Sequence, residues 1–244
     1  MISIVVPVYN EADNIQPFLR ELGPHLHQPH ETLIVYDFPA DSTLPAIAAM
    51  QPPPNNVRLV HNTLGRGVLN ALKAGFQAAR GDVIVVMMAD RSDEPKDVEP
   101  MAALIRGGAD VVAGSRYSKG GGQDGGPLLK RTLSRLAGMS LHYLAGLPTR
   151  DATNNFRAYS RRVIEQLPIE GQASFAVALE LTLKAHWNGW RIAEVPTTWH
   201  DRTAGESRFR TFAWMPHYLR WYLKAMGRAW FGSSPRRAKE PRTQ

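Results

Sequence analysis

Four polar clusters in this chain stand directly behind short, β-branched apolar runs. Tyr9-Asn10-Glu11 follows Ile2–Val8, Asp37 follows Thr32–Tyr36, Asp90 with Asp93 follows Val83–Met88, and Ser115-Arg116 follows Asp110–Gly114. Carboxylates so placed can accept hydrogen bonds or hold a hard cation, and arginines can hold an oxyanion. A lone acid after a strand commonly caps a turn. Four such clusters on one rim are a different matter, because open parallel sheets bind ligands outside the carboxyl ends of their strands.

The elements that must position these residues are readable from periodicity. Helical patterns over Glu11–Leu26, Ser42–Met50, Val68–Ala79 and Pro95–Ile105 alternate with strands at Ile2–Val8, Thr32–Tyr36, Val57–His61, Val83–Met88 and Asp110–Gly114. That alternation predicts a three-layer α/β/α sandwich on a mostly parallel sheet. Val83–Met88 is the most apolar strand and belongs at the sheet centre. After Gly114 the pattern changes. Gly120–Gly122 and Gly125-Gly126-Pro127 predict a mobile loop, followed by helices over Leu128–Leu144 and Phe175–Trp187 and a strand at Arg191–Val195. Thr203–Arg210 reads as a basic loop, and Phe212–Phe231 as an aromatic amphipathic helix broken at Pro216.

The 244 residues suffice for one α/β domain with a small appendage. The absence of cysteine excludes disulfides and Cys-ligated zinc and fits a reducing compartment. A net charge of +7 points to anionic partners, but no nucleic-acid recognition motif accompanies it, and no nucleic-acid partner is expected. The longest apolar run, Val83–Ala89, is far short of the ~18 residues that cross a bilayer. No secretory leader is visible after Met1, so a cytoplasmic location is expected.

Several of these segments carry a resemblance. Ile4-Val5-Val6-Pro7-Val8-Tyr9-Asn10-Glu11, Gly65-Arg66-Gly67 with Ala71, Gly75 and Ala78, and Val86–Asp90 follow one another in order. Gly114–Tyr117, Asp151–Tyr159, Glu194-Val195-Pro196 and Arg202–Arg208 complete the series. Over residues 2 to 210 the chain resembles the family 2 glycosyltransferases of GT-A fold, and most closely their dolichol- or polyprenyl-phosphate mannose (or glucose) synthase branch. The resemblance implies a GT-A domain over 1–210, and the residue pattern beyond it predicts an amphipathic aromatic-rich helical segment over 211–232 and a disordered basic tail over 233–244.

It also implies roles. Pro7, Tyr9, Glu11 and Asp37 are expected to form the nucleotide pocket of a GDP- or UDP-sugar donor. Asp90 is the expected metal ligand for Mg²⁺ or Mn²⁺, and Asp90 with Arg202 the expected catalytic pair. Arg202 and Arg208 are expected on the donor phosphates. Arg116 and Arg131 are expected to hold the phosphate of a polyprenyl-phosphate acceptor, and the reaction to invert the sugar's configuration. Such an acceptor lies in a bilayer, so peripheral contact with the cytoplasmic membrane face is expected through Leu219, Trp221, Tyr222, Leu223, Met226, Trp230 and Phe231, flanked by Arg220, Lys224 and Arg228. A core-closing helix or a homodimer contact reads equally from that segment; the oligomeric state is left open.

The sequence departs from the family pattern at three places. Tyr36 stands where the first of a paired Asp-Asp is usual, Met88 stands at the first Asp of Asp-X-Asp, and Arg208 replaces a lysine. A thioether is a poor ligand for a hard cation, and Asp93 and Glu94 are the nearest carboxylates that could substitute. Two other readings share these residues: a family 2 transferase with a soluble glycan acceptor, and a nucleotide-sugar-binding protein without catalysis.

Overall fold

The structure, a computed structural model, describes residues 1–171, 176–202 and 211–232. The strands β1 (Ile2–Pro7), β2 (His30–Tyr36), β3 (Val57–His61), β4 (Val83–Val86), β5 (Val111–Ser115), β7 (Arg157–Ser160) and β8 (Ile192–Pro196) form a seven-stranded sheet of order β3-β2-β1-β4-β7-β5-β8. All neighbours run parallel except β7, which is antiparallel to both β4 and β5. The fold is GT-A-like, and β4 takes the central place that its composition predicts.

Alternation along the strands sorts the core into two layers, as the two-residue period requires. Ile2, Ile4 and Val6 face one side with Val83 and Val85. There they meet Ile15 and Phe18 of α1 (Ala12–Leu22) and Met101 of α4 (Val98–Arg106). Val5, Leu33, Val35, Ile84 and Val86 face the other side, against Leu72 and Phe76 of α3 (Val68–Ala78). The same layer holds α7 (Val177–Trp187) and Trp221, Ala225 and Met226 of α8 (Thr211–Phe231). A Cβ on Gly75 would lie 2.3 Å from Val5 Cγ1, so only glycine lets α3 sit this close to β1.

Five elements depart from the sequence reading. The glycine-rich segment holds a short strand, β6 (Gly122–Asp124), paired with β9 (Thr198–His200) in a separate ribbon. Strand β7 and the short helix α6 (Arg161–Gln166) were hidden because their residues show neither clean period. Helix α8 continues through Pro216. A proline there removes one backbone bond near the helix start, and the burial of Trp221, Ala225 and Met226 further along holds the helix in place. Both Arg208 and the 233–244 tail lie outside the described residues.

Helix α5 (Leu128–Ala145) packs against α8, and Tyr222 Oη lies 3.0 Å from Ser140 Oγ. A Cβ on Gly138 would come within 2.2 Å of the Arg150 carbonyl, so this glycine brings α5 down onto the segment that leads into β7. Because β7 is antiparallel, its amino-terminal end reaches the same rim as the carboxyl ends of β1, β2, β4 and β5. Residues 151–156 therefore join the polar clusters there.

Candidate active site

The rim opens into one cleft of about 1670 Å³, lined among others by Pro7, Tyr9, Glu11, Asp37, Asp90, Asp93, Arg116, Lys130, Arg131 and Arg202. The described residues expected to hold the nucleotide, the phosphates or the metal are thus on its wall, whereas Glu94 is not.

At the β1–β2 end the loop after Pro7 is fixed by a residue the sequence reading passed over. Asp41 is fully buried and accepts the Asn10 N–H on both oxygens at 3.1 Å and the Thr43 N–H at 2.9 Å. Asn10 returns the tie through its Oδ1, which accepts the Ser42 N–H at 3.1 Å. This locks Asn10 at φ 55° and holds Tyr9 outward, 40 % exposed, edge-on to Phe38 with centroids 5.3 Å apart. The Arg66 guanidinium stands 5.3 Å from the same Phe38 ring. Asp37 accepts the Gly67 N–H and an Asn62 amide N–H, both at 2.7 Å. It therefore positions the turn into α3 and keeps spare lone pairs toward the cleft. Glu11 accepts from Asn14 at 2.6 Å.

At the centre, beyond β4, Arg202 Nη2 donates to Asp90 Oδ2 at 2.8 Å, and Asp90 Oδ1 accepts the Ser92 N–H at 3.2 Å. Asp93 is buried behind this pair and accepts the Met88 N–H at 3.1 Å. Burial, and then the charge of Asp90, push its pKa up to about 7. Glu94 is committed elsewhere, accepting from His200 at 2.7 Å and pairing with Lys96 at 3.2 Å.

The Asp93 shift has a testable sign. The folded carboxyl keeps its proton up to about pH 7, whereas the unfolded one loses it near 3.8, so between those values the native state binds more protons and stability falls as pH rises. In metal-free buffer, Asp93→Asn should therefore gain on the parent protein between about pH 4 and 7, by roughly a few kcal/mol at the upper end. Chemical denaturation across that range measures it, and parallel pH curves for the two proteins would refute it.

At the β5 end Arg116 is clamped. Its Nε and Nη2 donate to the two oxygens of fully buried Asp151 at 2.7 and 2.9 Å, and Nη2 also reaches Ser134 and Thr153 at 3.0 Å. Burial would raise the Asp151 pKa, but the Arg116 charge and its hydrogen bonds overcome this and hold the carboxyl below its ordinary value. Nη1 of Arg116 makes no hydrogen bond among the described residues, and the side chain still lines the cleft. Two turns of α5 add Lys130, Arg131 and Ser134. Burial, then the neighbouring Arg116, lower the Lys130 pKa, with Asp201 and Asp90 acting against that. From this cationic end the cleft runs on between α5 and α8, where Leu133, Leu136, Met215, Leu219 and Tyr222 line it.

Asp90 is a hard, cleft-facing carboxylate that already faces a cation, the Arg202 guanidinium. Among the described residues no cluster of three or more His, Cys, Asp or Glu side chains could hold a metal. The donor set therefore fits a divalent ion bound through one protein carboxylate and otherwise through substrate phosphate and water, as Mg²⁺ commonly is.

Comparison with known proteins agrees with this geometry. The profile described as glycosyl transferase family 2 matches residues 3–168. The chain belongs to glycosyl transferase family 2. A polyprenol monophosphomannose synthase of Mycolicibacterium smegmatis is 32% identical over 211 residues, covering 84% of this chain and 79% of the relative. A dolichol-phosphate mannosyltransferase of Pyrococcus furiosus is 27% identical over 230 residues, covering 90% of this chain and 63% of that longer protein. Among solved structures, the glucosyl-3-phosphoglycerate synthase of Mycobacterium tuberculosis, in complex with Mn²⁺, UDP and glucosyl-3-phosphoglycerate, superposes with a TM-score of 0.69 at 19% identity, over 93% of this chain and 80% of that one. The family 2 transferase is thus a GT-A-fold glycosyltransferase. No helix among its described residues is long and apolar enough to cross a membrane.

Sequence reasoning missed Asp41, Lys130 and the Arg116–Asp151 clamp. Asp151 lay inside a recognised motif, but its partner is 35 residues away and only the antiparallel course of β7 brings the two together. Lys130 sits beside Arg131 on a helix whose register against the rim periodicity does not set.

Proposed function

We propose that this transferase moves a hexose, mannose by the names of its relatives, from a GDP- or UDP-sugar to a polyprenyl phosphate with inversion. An acceptor phosphate oxygen forms the new bond to the anomeric carbon as the bond to the nucleoside diphosphate breaks on the opposite face. The observation that carries this reading is the cleft itself. Carboxylates and an aromatic ring stand at one end, Asp90 and Arg202 at the centre and the Arg116, Lys130 and Arg131 cations at the other end, which opens into an apolar groove between two helices. Pro7, Tyr9, Glu11 and Asp37 take the nucleotide, and Arg202 with Arg208 its phosphates. Arg116 and Arg131 take the anionic acceptor, which needs aiming more than deprotonation. Asp90 would hold Mg²⁺ or Mn²⁺, whose Lewis acidity stabilises the leaving diphosphate.

Thermal shift against GDP, UDP, dTDP and CMP, with and without Mn²⁺, tests the donor half. One diphosphate should raise the melting temperature, and more so with metal, because a ligand of the native state stabilises it. No shift at millimolar nucleotide would end the reading.

The acceptor half predicts membrane contact. Leu136 on α5 and Leu219 on α8 line the groove and are exposed, and Leu128, Leu129, Leu223 and Trp230 on the same two helices are exposed as well. Anionic vesicles should bind the protein at low salt, and Leu136→Glu/Leu219→Glu should weaken that binding roughly tenfold or more. Sedimentation of the protein with vesicles measures this, and equal recovery of the two forms would refute it.

A further inference from the structure

Six buried side-chain nitrogen or oxygen atoms among the described residues have no hydrogen-bond partner, and of the residues that carry them only Gln123 and Asn155 line the cleft. Asn155 stands on the cleft wall, yet its Oδ1 is shut off from solvent and unpartnered; a buried acceptor without a donor is costly, and a turn of the amide that brings it to a donor from a ligand in the cleft removes that cost.

The position of Asn155 says which part of a ligand that is. Arg157 of β7 pairs with Val86 on one side and with Ala113 on the other, and the Gly114 N–H donates to the Phe156 carbonyl at 2.9 Å. Two residues before Arg157, Asn155 is therefore level with Met88 and with Ser115, just short of Asp90 and Arg116. In a single displacement the migrating sugar lies between the departing diphosphate and the incoming phosphate, which is the interval between those two residues. Gln123 stands on the separate β6–β9 ribbon, outside this interval.

The backbone around Asn155 is also held still. Asn154 Nδ2 donates to the Gly114 carbonyl at 3.1 Å, and the Asn154 N–H reaches Asp151 at 3.1 Å. The fully buried Arg157 donates to the Asn154 and Asp151 carbonyls at 3.0 and 2.6 Å. On so fixed a frame only the amide's own torsions are left to place the acceptor.

We propose that Asn155 reads the sugar being transferred, its amide turning toward the cleft so that Oδ1 accepts a hydrogen bond from one hexose hydroxyl. The assignment rests on the transferase reading above and adds to it the residue that distinguishes one sugar from another at the same nucleotide.

Calorimetric titration of the parent protein and Asn155→Leu tests it, with GDP, GDP-mannose and the monodeoxy GDP-mannose analogues, or the UDP and UDP-glucose series if that base is the one bound. GDP should bind both proteins within about twofold, which also reports that the variant is folded, while GDP-mannose should bind the variant about five- to tenfold more weakly. For one deoxy analogue the difference between the proteins should vanish, because its hydroxyl is already gone. Asn155→Ala serves the same cycle if the leucine variant misfolds. Equal weakening of GDP and GDP-mannose would assign Asn155 a structural role, and a loss that persists with every deoxy analogue would remove the hydroxyl contact; either overturns the proposal. If the parent protein binds no nucleoside diphosphate, the donor site itself is wrong and the assignment falls with it.

Discussion

Asp90→Asn should lower glycosyl transfer by roughly 100- to 1,000-fold while leaving the fold intact, the range associated with loss of one preorganised charge-stabilising group. The side chain stands at the end of the central strand on the wall of the cleft, 8% exposed, and is the carboxylate that Arg202 meets at 2.8 Å. Asparagine keeps the volume and can still accept the Ser92 N–H. Arg202 remains partly solvated when its partner loses charge, so little stability is at stake. What disappears is the proposed hard ligand for a divalent ion, and with it the charge that ion would bring to the leaving diphosphate. Two measurements separate this from a general disturbance. Thermal stabilisation by nucleoside diphosphate in EDTA should survive, whereas the extra stabilisation on adding Mn²⁺ should be lost. Turnover at the parent rate with Mn²⁺ present would show that the diphosphate leaves without help from Asp90.

The contrast between legible and hidden parts of this site follows from how each is built. Pro7 at the end of β1, Tyr9 and Glu11 just behind it, Asp37 behind β2 and Asp90 behind β4 were readable because each group marks the end of a strand, and a parallel sheet puts all such ends on one rim. Local pattern alone fixes their place. Asp37 shows the limit of that logic, since its two oxygens turn out to secure Gly67 and Asn62. Glu194 sat in a recognised motif without a role. In the fold it accepts the Arg150 N–H at 2.8 Å and the Thr149 hydroxyl at 3.1 Å, tying the approach to β7 onto β8. Strand β7 was unreadable because only four residues form it and both faces are buried, one of them by an arginine, so neither alternation nor an apolar run announces it. Everything that depends on β7, including the Arg116–Asp151 clamp and the place of Asn155, was hidden with it. The exposed leucines of α5 belonged to a helical pattern read as ordinary, and only the packing of α5 on α8 reveals a groove between them.

Removing the carboxylate of that clamp should be the most destabilising single change at the site. Asp151→Leu is expected to cost about 3–5 kcal/mol, the range for breaking a buried ion pair from one side. Asp151 is wholly buried and the Arg116 side chain nearly so, and the pair is bidentate. The same carboxylate also accepts the backbone N–H groups of Arg116 and Asn154, so the loop entering β7 loses its anchor as well. The pH dependence carries the same sign. The folded pKa of Asp151 is depressed, since the Arg116 interactions outweigh the burial that would raise it. Its contribution is therefore present above the unfolded value of 3.8 and is lost as pH falls through the folded value. A second substitution makes the argument sharper. In Asp151→Leu/Arg116→Met the Arg116 charge is no longer stranded, though the buried Arg157 still loses a neighbouring carboxylate, and a well-packed apolar pair can recover part of the lost stability. If Arg116 also aims the acceptor phosphate, the double variant should stay inactive toward polyprenyl phosphate while still binding the nucleoside diphosphate. Urea denaturation and acceptor-dependent turnover on the same two proteins decide it. Recovery of stability and turnover together would reduce Arg116 to the counter-ion of Asp151 and leave the acceptor phosphate to Lys130 and Arg131.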